Sequence, residues 1–174
     1  MLSEGDHRMN HVQQWAEKRL ETLSSCMGRT VRALDFSDDC LSLVLRMLSD
    51  DERWELFERE LNGHLLRVYP LKPERVRIDT TTCSGYWNVT PDGLFQFGFS
   101  KDHRQDLPQA KVVLSTLDPL GMPVATDVVS GNRADDPLYI PAIRRIRGGI
   151  GSRGLLYIGD TKMAAVETRG FVEA

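Results

Sequence analysis

The chain has 174 residues, 41% of them apolar and 27% charged, with a formal net charge of −3. That length and balance suit one domain with a small appendage and exclude a disordered chain. No apolar run approaches the ~18 residues of a membrane-spanning helix, and the slight negative charge excludes a basic module that grips nucleic acid by charge alone. The polar opening MLSEGDHRMN is no signal peptide. Cys26, Cys40 and Cys83 are widely spaced without a C-x-x-C, as free thiols of a reducing compartment are. The expected location is the cytoplasm, with no membrane partner.

Residues 1–70 and 71–174 differ in charge and in period. The first stretch carries 9 Lys/Arg against 13 Asp/Glu, the second 13 against 12. In 12–27, Val12, Ala16, Leu20, Leu23 and Met27 recur at helical spacing until Gly28 breaks the run. Ser37 before Asp38 and Asp39 predicts an N-cap, with Leu41, Val44, Leu45 and Leu48 as a buried stripe. Ser49 to Glu52 fits a capping box opening a third helix with Trp54, Phe57, Leu61 and Leu65 on one face. His7 and His11 stand four apart but have no third ligand near, and read as surface histidines.

Beyond Tyr69-Pro70 the period becomes that of strands. ERVRIDTTT (74–82) is the first, and it runs into an acid, Asp79. GLFQFGFSK (93–101) alternates aromatic with small or polar residues, as an edge strand or a tight loop does. KVVLSTLD (111–118) and PVATDVVSG (123–131) flank Asp118-Pro119-Leu120-Gly121 and predict a hairpin. Asp136-Pro137 predicts a helix start, with Tyr139, Ile143 and Ile146 on one face. GLLYIGD (154–160) is continuously apolar, fit for burial in a sheet, and ends on Asp160. A helical crossover would bring this last strand alongside the first in parallel. Asp79 and Asp160 would then meet at one end of the sheet, where open α/β sheets place their sites. Two adjacent carboxylates repel unless a proton or cation lies between them, and a divalent ion is the usual resolution.

RIDTTTCSGY, GLFQFGFSKDHRQDLPQAKVVLSTLDPLGMPVATDVVSGNRADDPLYIPAI and GLLYIGDTKM together resemble bacterial insertion-sequence transposases with a DDE catalytic domain, from about Glu74 onward. The resemblance implies an α+β/α/β chain: a small helical region (1–70), then an incomplete RNase H-like mixed sheet with flanking helices (71–174). By position Asp79 matches the family's first aspartate and Asp160 its second, implying Mg²⁺ or Mn²⁺ as cofactor. The implied activity is DNA cleavage and strand transfer. The implied partners are double-stranded DNA, at element ends and target, and further transposase subunits in a homo-oligomer near the nucleoid. One departure is plain. The family's third acid, a glutamate in a Tyr-x-x-Arg-x-x-x-Glu-x-x-x-x-x-x-Lys context, has no counterpart, and only Glu167 and Glu173 follow Asp160. The expectation is therefore a C-terminally truncated copy, inactive alone, with Glu167 as the one local substitute. The alternative is a non-catalytic remnant that binds DNA or intact transposase.

Three further motifs weigh less. Gly149 to Gly154 is a literal G-x-G-x-x-G, but it follows a helix and precedes a strand, the reverse of a dinucleotide site, and reads as a helix exit loop. Lys101-Asp102-His103-Arg104 belongs to the family pattern and stands between DNA contact and solvated loop. Arg144, Arg145 and Arg147 cluster near a helix C-terminus, where cations are favoured anyway.

Overall fold

The computed structural model describes residues 5–6, 8–69, 71–100, 103–151 and 154–173. The chain divides into two compact units, residues 1–54 and 55–174. In the first, the run expected as one helix is two, α1 (Val12–Glu17) and α2 (Leu20–Met27). The break has a local cause. A continuous helix would send the Arg19 N–H to the Trp15 carbonyl. Here the Arg19 guanidinium takes that carbonyl at 3.1 Å while lying over the Trp15 ring, and the Arg19 N–H bonds Ala16 O instead. Gly28 ends α2 at φ +62°, a left-handed conformation that a side chain disfavours. Ser37 caps α3 (Asp38–Leu48) as expected, its Oγ accepting from the Cys40 N–H. The expected stripe is not buried: Val44 and Leu45 are exposed, and only Ala16 and Val31 are buried apolar residues among those described in this unit. So short a unit has too little facing surface to cover the stripe.

Helix α4 (Asp51–Val68) starts one residue later than the capping-box reading. Asp50 is its cap, accepting from the Arg53 N–H at 3.1 Å, while the Ser49 hydroxyl turns back to Arg46 O.

The second unit is built on four strands: β1 (Arg75–Ser84), β2 (Gln109–Leu117), β3 (Met122–Ser130) and β4 (Leu156–Ile158). Their order is β3-β2-β1-β4, with β1–β2 and β2–β3 antiparallel and β1–β4 parallel. Helix α5 (Tyr139–Ile150) makes the crossover between β3 and β4, entered through a 3₁₀ turn (Asp136–Leu138) that carries Pro137. Helix α6 (Val166–Glu173) follows. On β1, Val76, Ile78 and Thr80 point inward and alternate with exposed neighbours. Val76, Ile78, Val113, Leu117 and Val124 pack against Tyr139, Ala142, Ile143 and Ile146 of α5. Helices preceding and flanking a mixed four-stranded sheet are consistent with the expected partial RNase H-like fold.

Of the two readings of 93–101, residues 93–100 take the loop, tied to the sheet where Gln96 bridges Gln109, where Gln109 Nε2 donates to Phe99 O and where the Gly131 N–H donates to Leu94 O; Lys101 lies outside the described residues. Three expectations need correction here. β1 does not stop at Asp79: the β-branched Thr80, Thr81 and Thr82 continue the ladder against Val113, Val112 and Lys111. β4 is three residues long with Leu156 exposed, because it is the sheet's edge and is covered less than a central strand. The apolar face expected for α4 also points outward at Phe57 and Leu61. Its inward side is polar because it meets strand backbone: Asn62 donates to Val124 O at 2.7 Å, and the Thr126 N–H donates to Glu58 at 2.8 Å.

Candidate functional site

The parallel ladder pairs Arg75 with Leu156, Val76 with Tyr157 and Arg77 with Ile158. Asp79, still within β1, and Asp160, beyond the end of β4, each lie two residues past the last pair. The sequence reading expects these two acids to meet at one end of the sheet; the ladder itself ends at Arg77–Ile158, before either of them. Asp79 is held at its own strand, one carboxylate oxygen accepting the Thr80 N–H at 2.8 Å. Asp160 leaves β4 and caps a 3₁₀ turn (Thr161–Ala164), its Oδ1 accepting the Lys162 N–H at 3.0 Å. The same Oδ1 accepts the Tyr139 hydroxyl at 2.6 Å. The ring of Tyr139 belongs to the core, and its hydroxyl reaches out to Asp160. Burial raises the phenol pKa first, and the Asp160 bond, then the charges of Asp160, Asp135 and Asp79, raise it further.

Beside the pair is an ion cluster that sequence reasoning missed. Asp135 is buried, with Lys111 Nζ on Oδ1 at 2.6 Å and Lys162 Nζ on Oδ2. Burial pushes the Asp135 carboxyl up, but the bonds to Lys111 and Lys162 outweigh it, leaving its pKa below the ordinary value. A faint signal existed: Lys111 precedes Val113, Ser115 and Leu117 at strand spacing, which puts a lysine on the inward face of a strand.

The other candidates fall elsewhere. Among the described residues, no group of three or more His, Cys, Asp or Glu is placed to hold a metal ion, so Glu167, in the first turn of α6, does not complete a triad with Asp79 and Asp160. Two carboxylates alone would leave a divalent ion largely hydrated and would not ligate a closely spaced pair of ions. His11 bonds Asp6 at 2.9 Å, and His7 lies outside the described residues. Arg145 is committed to Glu58 and Asp127. Arg147 donates to Phe171 O and Val172 O, and Arg144 lies over the Phe171 ring. The arginine cluster therefore serves packing. Arg104 pairs with Asp106 at 2.9 Å, and Lys101 and Asp102 lie outside the described residues. Gly151 and Gly154 take positive φ just past α5, as a helix exit loop requires, and Ser152 and Arg153 lie outside the described residues. All three cysteines are free thiols. No helix among the described residues is long and apolar enough to cross a membrane.

No protein-family model and no curated protein matches the sequence. Solved structures to which the chain is similar are complexes of Mos1. One is the Mos1 strand transfer complex, at TM-score 0.39 and 12% identity over 96% of this chain and 55% of that one. Another is the Mos1 transposase paired-end complex with left transposon end, at TM-score 0.39 and 12% identity over 96% and 56%. A third is the mariner Mos1 paired end complex with Mg, at TM-score 0.35 and 11% identity over 96% and 56%. The chain thus spans little more than half the length of the chains it matches.

Proposed function

We propose that this chain carries the metal-binding aspartate pair of a DDE-type transposase from a bacterial insertion sequence. It would act on double-stranded DNA, at element ends and target, together with further transposase subunits. The observation that supports this most is the alignment of Asp79 and Asp160, each two residues beyond the Arg77–Ile158 pair on parallel neighbours. Mg²⁺ or Mn²⁺ bound there would supply an activated water nucleophile and stabilise the leaving oxygen of a phosphodiester. The chain's own part is positional. β1 fixes Asp79, the 3₁₀ turn fixes Asp160, and the Tyr139 hydroxyl holds Asp160 from the core side.

A second reading, a non-catalytic DNA- or transposase-binding module, is favoured by the want of a third acid beside the pair among the described residues. Metal binding separates the acid-pair reading from its failure. Mn²⁺ should broaden resonances around Thr80 and Thr161 in the native chain, and much less in Asp79→Asn or Asp160→Asn. Two carboxylates leave the ion largely hydrated, so binding should be weak. Equal broadening in the double Asn variant would place the metal elsewhere and sink the proposal.

A further inference from the structure

The cluster beside the acids holds more positive charge than its own carboxylate needs. Lys111 suffices to balance Asp135, and both of their side chains are buried, at 5% and 4% exposed. Lys162 adds a second ammonium to the same carboxylate, and its side chain is 44% exposed. A buried carboxylate with one buried lysine already has its counter-ion. The second lysine is surplus to that need and lies at the solvent edge of the site. Its backbone is fixed as well, because its N–H is bonded to Asp160 Oδ1 at 3.0 Å.

We propose that Lys162 is a phosphate-contacting residue of the Asp79–Asp160 site, held in position by buried Asp135, which Lys111 anchors from beneath. The inference rests on the reading of the acid pair as the place where a phosphodiester sits. A phosphodiester brought to two carboxylates meets repulsion, and a nearby cation offsets it. Other cations close to the sheet and α5 are engaged: Arg77 is bidentate to Asp118, and Arg145 is held by Glu58 and Asp127. Lys162 is engaged too, but by a carboxylate that keeps Lys111 when Lys162 turns toward a phosphate. Ordering a long flexible side chain opposes binding, and here the ion pair to Asp135 has already ordered it.

The test measures binding of the 174-residue protein to a short DNA duplex by fluorescence anisotropy over a salt series, with Mn²⁺ binding followed separately. Losing one phosphate contact should reduce the slope of log affinity against log salt by about 0.9. Across a fourfold rise in salt, native binding should then fall ~3-fold more than that of Lys162→Gln. Lys162→Arg should keep the native slope, and both variants should keep Mn²⁺ binding. A native slope in Lys162→Gln, or no duplex binding by the native protein, overturns the phosphate contact. If Mn²⁺ binding persists in that case, the acid-pair reading survives alone. If Mn²⁺ fails to bind, the acid-pair reading fails and the contact at that site falls with it, even where the slope drops. Loss of cooperative unfolding in Lys162→Gln would also overturn the inference, since Lys162 would then be an indispensable counter-ion.

Discussion

Replacing Tyr139 by Phe removes one oxygen from the place where core and acid pair meet. The ring is 1% exposed, so Phe fills the same space and leaves no cavity. What is lost is the 2.6 Å bond to Asp160 Oδ1. A hydrogen bond to a charged partner contributes about 1.5–3 kcal/mol. Asp160 is exposed and keeps the Lys162 N–H at 3.0 Å, so the low end applies, about 1.5 kcal/mol. Urea unfolding of Tyr139→Phe, Asp160→Ala and the double variant should give a coupling near that value, well above the ~0.5 kcal/mol scatter of independent sites. The cap lost in Asp160→Ala enters both of the cycle's Asp160 steps and cancels. Alkaline titration gives a second check. Burial first, and Asp160 next, raise the phenol above its unfolded value. The unfolded chain then releases this proton before the native one does, so native stability falls as pH climbs past ~10. Tyr139→Phe should lose less over that range. Additivity in the cycle, together with an unchanged alkaline limb, would show that the hydroxyl does not hold Asp160.

Asn62→Leu should cost about 1–3 kcal/mol in chemical unfolding, because it strands the buried Val124 carbonyl that Asn62 serves at 2.7 Å. Arg145→Met should cost about 3–5 kcal/mol near neutral pH, since Glu58 and Asp127 lose their shared cation. Burial raises the Glu58 carboxyl and Arg145 partly offsets that rise, so the variant's penalty should shrink as pH falls below neutral and Glu58 takes up a proton. A pH-independent penalty would refute that account. Gly131→Ala should abolish cooperative unfolding of the sheet unit, because the added Cβ would overlap the Gln109 backbone carbonyl; a native-like melt would show that the strand end yields. Incubated with Mg²⁺ and DNA carrying element ends, residues 1–174 alone should yield no strand cleavage. Nicking that is lost in Glu167→Gln would make Glu167 the third acid.

Some of this was legible from residues alone, and the reason is periodicity. The inward alternation of β1 and β2, the Tyr139–Ile143–Ile146 face and the hairpin around Pro119-Leu120-Gly121 all repeat a spacing that burial imposes. The parallel pairing of the first and last strands followed from two strands and one crossover. What failed was burial in the helices. The stripe of α3 and the Phe57–Leu61 face of α4 carry helical periodicity yet stay exposed, since a period fixes which residues share a face and not what that face meets. On α4 the inward face went to Glu58 and Asn62 because the backbone of β3 offers a donor at Thr126 and an acceptor at Val124. Satisfying those groups needs polar side chains at one position each, which no period reveals.

The ion cluster was missed for a related reason, and the reason bears on the acids. Along the sequence the sheet-bearing stretch is nearly neutral, whereas the site depends on which charges the fold brings together. Thr80, Thr82 and Ser84 lie on the inward face of β1, opposite Val113, Lys111 and Gln109. That half of the inward face is polar, while Val76 and Ile78 make the other half apolar. A lysine at position 111 therefore enters a region where hydroxyls and a buried carboxylate surround it, so its charge is tolerable only with Asp135 in place. Asp135 in turn reaches Lys162, whose N–H bonds Asp160. The chain of dependence runs from an inward lysine to a buried aspartate to an exposed lysine. Each link is fixed by a hydrogen bond that sequence spacing does not encode.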